Sequence, residues 1–396
     1  MKNSILIKTT LLLCSMFTMM AGAIIAPSLP AMEQLFHQTE NVALLTRLVL
    51  SIPAIFTAIF APIFGIGASK MSSKKLLLFS LLLYAFSGVS GLFLDNIYYI
   101  LIGRIFLGIS VAGVMTLSTT LIGDYFTGAE RNKFIGLQGS FMGFGGVIFV
   151  SLAGVMADIK WNLPFAIYLL SLFAFTTRLY VIKEDTHPKE KNEKKDLKQN
   201  KTSSNPLKVY ILVFIGILMF YILPVQLPFL LSEKLQVTNT EIGITISVMQ
   251  LTSAVVALFY KKIRHLFEFH TIYILILLFI GLGYIIISNT NGYPLFVLAS
   301  SIVGIGVGLL MPMGNLWIME IASNSNRAQL IGSVTTSIYL AQFLSPVLLQ
   351  PIVRHYGVAD LFQYSGYFMV LFALCYTLFQ AYQTTLKKEE AIIDMK

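Results

Sequence analysis

The chain is short of what a domain in water needs on its surface. Asp, Glu, Lys and Arg make up 12% of its 396 residues, whereas 56% are hydrophobic. A soluble domain carries about 25% charged residues, so a water-soluble fold of this size is excluded. Cysteine is scarce too, and both copies, Cys14 and Cys375, lie inside apolar runs. That placement speaks against a disulfide framework or a zinc site. Acids are missing from the middle of every apolar run. A membrane-embedded enzyme needs convergent His, Asp or Glu at membrane depth, so no enzyme activity and no cofactor are expected.

Long apolar runs are what the sequence does have. A helix needs about 20 mostly apolar residues to cross a bilayer. Twelve such runs lie near 8–31, 43–67, 76–94, 98–122, 134–157, 161–182, 207–231, 240–260, 270–288, 293–319, 328–352 and 361–385. The expected fold class is an all-α membrane protein with twelve transmembrane helices in two pseudo-symmetric six-helix bundles. Lys2, Lys8 and Ala21-Gly22-Ala23 imitate a secretory signal, but the apolar run continues to Pro27 and reads as the first span.

The net charge of +9 would suit nucleic acid, yet its placement speaks for topology. Lys70, Lys74 and Lys75 follow the second run, and Lys261, Lys262 and Arg264 follow the eighth. The 183–208 segment carries eight lysines. Alternate loops carry Glu33, Glu40, Asp95, Glu233, Glu241 and Asp360 instead. By the positive-inside rule, both termini are cytoplasmic in a multi-pass cell (inner) membrane. The expected partners are the lipid bilayer and a small-molecule substrate, not nucleic acid, and the expected state is a monomer.

Positions 98–139 return at 294–335 with an offset of 196. Gly108 matches Gly304, Asp124 matches Glu320, Arg131 matches Arg327 and Gly136 matches Gly332. Weaker matches pair Ser51 with Ser247 and Leu29-Pro30 with Leu227-Pro228. The Lys183–Lys208 stretch between the copies is too polar to bury a core. The expected division is therefore an N-terminal bundle at 1–182, a cytoplasmic linker at 183–206 and a C-terminal bundle at 207–396.

This layout resembles the major facilitator superfamily along the whole chain. After the second run, Gly65, Gly67, Lys70, Lys74 and Lys75 fit that family's loop motif, with Ser69 in place of its Asp and Ser72 in place of its Gly. In the fourth run Arg104, Gly108, Ala112 and Gly113 fit its Arg-x-x-x-Gly motif. The fifth has Gly139, Gly143, Gly145 and Gly146 but lacks the Gly-Pro pair of antiporters. The resemblance implies transport by alternating access, through rocking of two bundles about a central site.

It also implies that the first, fourth, seventh and tenth spans line a central cavity, with help from the second, fifth, eighth and eleventh. Phe17, Met20, Gln138, Phe141, Tyr221, Gln226, Gln250, Asn315, Tyr339 and Gln342 lie on those spans. Aromatics, methionines and neutral amides suit an amphipathic organic compound. Each one singly is as readily explained by helix packing. The methionines at 16, 19 and 20 have no Cys or His beside them, so metal transport is not expected.

Six residues are candidates for coupling and gating: Glu33, Arg104, Asp124, Arg131, Glu320 and Arg327. Arg104 lies about two turns inside its span, where an unpaired charge costs about 2.5 kcal/mol or more. Either it snorkels to the headgroups near Asp95, or it acts on a protonatable group, or it ties the first and fourth spans together. Asp124 and Glu320 end their spans on the lysine side, where the helix terminus is partially negative and a cation is wanted. Arg131, Arg327 and the 70–75 loop are the candidates to supply it.

The leading expectation is an exporter of a drug or secreted metabolite driven by protons, with Glu33, Asp124 and Glu320 as the first candidate carriers and Asp158 behind them, and with uniport left open. Export of a siderophore or other anionic metabolite is an alternative. Nutrient uptake and a non-transporting membrane sensor also stay open.

Overall fold

A computed structural model describes residues 2–126, 128–174, 205–323 and 327–393. Among them there are helices and no strands. The first half holds α1 (Lys2–Ala23), α2 (Leu29–Leu35), α3 (Val42–Lys70), α4 (Ser73–Val89), α5 (Ile97–Tyr125), α6 (Gly128–Ile159) and a 3₁₀ helix at Leu163–Leu170. The second holds α7 (Pro206–Phe220), α8 (Ile222–Leu235), α9 (Asn239–Leu258), α10 (Tyr260–Leu266), α11 (Phe269–Asn289), α12 (Tyr293–Ile321), α13 (Arg327–Tyr356) and α14 (Val358–Ile393).

Eleven helical spans among the described residues are long and apolar enough to cross a membrane. The expected sixth span is described only as Leu163–Ala174, and most of the 183–206 linker lies outside the described residues. Main-chain bonding inside each helix is what lipid demands, because no water is there to satisfy free N–H and C=O groups. Helix ends are closed by side chains where the sequence supplies them. Asn96 accepts from the Tyr98 N–H at the start of α5, and Thr238 with Glu241 forms a capping box on α9.

The sequence repeat is a repeat of elements. Both α5 and α12 contain 29 residues, and their ends lie 196 positions apart. Within the halves α3 packs on α5, and α11 on α12 and α14. Across the halves the main contacts are α6 with α9 and α3 with α13. The ends near Lys70–Lys75 and Lys261–Arg264 mark a basic face, and those near Glu33, Asp158 and Asn239 mark the far face.

The first and seventh spans run on to Leu35 and Leu235, past the expected ends near 31 and 231. Each is broken in its interior. A 3₁₀ turn at Ala26–Ser28 separates α1 from α2, and Tyr221 separates α7 from α8. Pro27 and Pro224 each lack the N–H that an uninterrupted helix would use.

Candidate functional site

The two breaks are held by hydroxyl groups from neighbouring helices. The Tyr84 hydroxyl donates to the Phe17 carbonyl at 2.8 Å, and the Tyr168 hydroxyl to the Ala21 carbonyl at 3.0 Å. In the other half the Tyr284 hydroxyl donates to the Met219 carbonyl at 2.7 Å, and Ser345 to that of Leu218 at 2.8 Å.

Arg104 acts inside this frame. It is 1% exposed, so it does not snorkel. Its guanidinium donates to the Tyr168 hydroxyl at 2.9 Å and to the Gly88 carbonyl at 3.0 Å. The Phe165 and Tyr168 rings lie 4.7 and 5.0 Å from it. All these partners are neutral. Through Tyr168, the arginine on α5 reaches the break after α1.

The expected cavity residues divide into two groups. Phe17 and Met20 turn into the core of the first half, with the Phe17 ring 5.9 Å from that of Tyr84. Gln226 is 1% exposed and already bonded. These three have packing partners instead of an open surface, because the first and seventh spans bury those faces against their neighbours. Tyr221 is also buried, its hydroxyl 3.5 Å from the Leu50 carbonyl at the seam between halves. By contrast Gln138, Phe141, Gln250, Tyr339 and Gln342 are half-buried and Asn315 is exposed. The Tyr339 hydroxyl meets the Met115 sulfur at 3.1 Å across the seam.

Polar bonds close the seam toward the far face. Ser151 donates to Ser247 at 2.9 Å, and Ser247 to the Val147 carbonyl at 3.0 Å. Asp158 accepts from the main-chain N–H groups of Asn239 at 2.7 Å and Thr240 at 3.0 Å, and from the Thr240 hydroxyl. Its carboxylate thus caps the N-terminus of α9 from the other half. Toward the basic face the surfaces are open. Thr119 and Asp124 on α5, and Asn315, Leu316, Met319 and Glu320 on α12, are exposed. A Cβ added to Gly139 or Gly332 would meet nothing within 4 Å.

Sequence reasoning missed Arg47. It sits on α3 with 2% exposure and is bonded to both halves. Its Nη1 donates to Glu33 Oε2 at 2.7 Å and to the Ala43 carbonyl at 2.5 Å. Its Nε donates to Gln226 Oε1 at 2.8 Å, and its guanidinium lies 3.9 Å from the Phe229 ring centre. Above it a cleft of about 950 Å³ opens on the far face, lined among others by Glu33, Glu233, Val347, Arg354 and His355. An arginine five residues inside an apolar run was the available signal.

On the basic face, Glu320 pairs with Arg264 at 3.4 Å, a cation on α10 and not one of the expected partners. Asp124 is exposed at the end of α5. The side chains of Arg131 and Arg327 lie outside the described residues.

A sequence model of the Major Facilitator Superfamily matches residues 11–220 and 209–391. The chain is 23% identical to multidrug resistance protein 2 of Bacillus subtilis (strain 168) over 393 residues, covering 94% of this chain and 95% of the relative. It is 28% identical to the tetracycline resistance protein, class H, of Pasteurella multocida over 210 residues, 53% of this chain, and there it spans about half of the relative, 52%. Among solved structures, the D-xylose-proton symporter superposes with a TM-score of 0.76 at 15% identity, over 94% of this chain and 97% of that one. At that identity the likeness is one of fold.

Proposed function

The chain belongs to the major facilitator superfamily, and from that premise we propose that it exports a small amphipathic organic compound, a drug or a secreted metabolite, in exchange for protons. The basic face is then cytoplasmic, as the positive-inside pattern requires, and the membrane is the cell (inner) membrane. The described conformation is the loading state, with the seam bonded on the far face and exposed side chains toward the cytoplasm.

The observation that carries this reading is the chemistry left on the open side. Asn315 is exposed, and Gln138, Phe141, Gln250, Tyr339 and Gln342 are half-buried, all without charge. The two arginines buried among the described residues, Arg47 and Arg104, are taken up by protein partners. These uncharged amides and rings can accept varied apolar bodies and orient a few polar groups, while the acids of the open side, Asp124 and Glu320, lie at the ends of their helices. The names of the relatives, multidrug and tetracycline resistance proteins, agree with such cargo.

Export predicts a higher internal level of the compound when the gene is deleted. Cells with and without the gene are loaded with a panel of amphipathic drugs, and retained compound is measured. A lower level in the deletion strain would contradict export and favour uptake. Counterflow in liposomes separates a transporter from a sensor that binds without flux.

A further inference from the structure

We propose that Arg47 is shared between the two halves, and that competition for its charge couples protonation of Glu33 to closure of the far face. The inference rests on the proton-exchange reading above and names the residues that link the proton to the conformation. Glu33 on α2 and Arg47 on α3 belong to the same half, so their contact travels with that half. Gln226 and Phe229 are on α8 in the other half, so their contacts with Arg47 cross the seam.

A guanidinium with 2% exposure at membrane depth must have its charge compensated. With Glu33 ionised, the compensation comes from its own half, and the arginine remains satisfied whether or not the seam is closed. With Glu33 protonated, that compensation is gone. What remains in its own half is the neutral Ala43 main-chain carbonyl, and across the seam the Gln226 side-chain Oε1 at 2.8 Å and the face of Phe229 at 3.9 Å. A proton on Glu33 therefore favours the far-closed state, and its loss permits opening. By linkage, closure favours uptake of the proton to the same extent. A proton that Glu33 takes up from the outer side therefore favours the return of an exporter to its loading state.

Glu33 is placed to meet that proton, with its side chain 30% exposed to the cleft. The other charged groups of the cleft are Glu233, Arg354 and His355, all exposed to water. His37 at the end of α2 is exposed as well, and its Nδ1 lies 2.9 Å from the Gln34 carbonyl. None of these shares a hydrogen bond with Arg47. The Thr46 hydroxyl, 3.5 Å from Glu33 Oε2, is uncharged.

The test reads conformation without cargo. Val347 lines the cleft on α13. Val347→Cys is placed in a Cys375→Ser background, Cys14 being buried with 0% exposure. A membrane-impermeant maleimide then reports far-face opening in intact full-length protein. Gln226→Leu is expected to raise the labelling rate about tenfold, the effect of losing one hydrogen bond to a charged group. Gln226→Glu gives Arg47 a charged partner across the seam, so it should lower the rate. Glu33→Gln, a neutral stand-in for the protonated acid, should lower it as well. In the Glu33→Gln background, the Gln226→Leu effect should grow.

Opposite signs for the leucine and glutamate variants separate a shared charge from simple damage to the fold. The proposal is overturned if those two variants shift labelling in the same direction, or if Glu33→Gln raises the rate or leaves it unchanged. Proton movement with cargo is measured separately in liposomes. The expected labelling pattern without proton exchange would refute the antiport reading and leave the link between Glu33 and closure standing.

Discussion

Gly108 and Gly304 do the same thing in the two halves. A Cβ on Gly304 would lie 2.5 Å from the Met249 carbonyl oxygen, and one on Gly108 would collide with the Pro53 carbonyl. Pro53 and Met249 are themselves 196 positions apart, as the two glycines are. The duplication has therefore kept a pair of backbone approaches, α5 on α3 and α12 on α9. In lipid such close approach gains packing energy that larger side chains forbid.

Gly304→Ala is expected to destabilise the second half by about 1–3 kcal/mol, the cost of overpacking a contact whose neighbour is main chain and cannot turn away. Gly332→Ala is the control, because a Cβ there meets nothing within 4 Å. Thermal unfolding in detergent compares the two. Equal melting temperatures would mean that the helices separate at little cost.

The Arg104 network predicts a dependence on Tyr168. Arg104→Ala should insert normally and lose most transport, because both the Tyr168 hydroxyl and the Gly88 carbonyl lose a donor. Arg104→Lys should recover only part of it, since an ammonium lacks the planar fork that reaches both. If the arginine works by positioning the break after α1, Tyr168→Phe must also reduce transport, having lost the bond to the Ala21 carbonyl. A fully active Tyr168→Phe beside an inactive Arg104→Ala would place the arginine's effect elsewhere.

The family, the helical fold and the duplication were legible because they rest on features that repeat along one chain. Apolar runs mark the spans, and Gly108 with Gly304 marks the register of α5 and α12. The contacts that join the halves at the far face were not legible, because they depend on which helices meet. Glu33 and Arg47 are separated by a turn between spans, and Gln226 lies 179 residues beyond Arg47. In sequence Gln226 is an amide on an expected cavity helix, and only packing shows that its carbonyl is bonded to an arginine. The same limit holds for Glu320, whose bond to Arg264 on α10 joins residues 56 positions apart in the chain.

That bond leads to a prediction for the basic face. The Glu320–Arg264 pair is partly exposed, with 53% and 32% of the side chains accessible, so it should contribute less than about 1 kcal/mol to stability. Glu320→Gln is expected to leave the melting temperature nearly unchanged. If Asp124 and Glu320 gate the open side, the double change Asp124→Asn with Glu320→Gln should still alter labelling of cysteines placed at Gly139 or Gly332. Unchanged accessibility there would leave the two acids as surface charges only.

The far face has a second fastening that can be tested against the first. Asp158 caps α9 through Asn239 and Thr240, while Arg47 holds α8 through Gln226. The two fastenings use different helices and share no side chain. Asp158→Ala removes a charged cap from a helix end, a loss of about 0.5–2 kcal/mol, and should raise labelling of a cysteine at Val347 severalfold. Independent sites add, so Asp158→Ala with Gln226→Leu should multiply the two single effects. A double variant that labels no faster than either single one would mean that the seam opens as one unit once any fastening is lost. The closed far face would then be held by the packing of Gly154 on Gly243, where added Cβ atoms would lie 2.7 and 2.8 Å from the Asn239 and Val150 carbonyl oxygens.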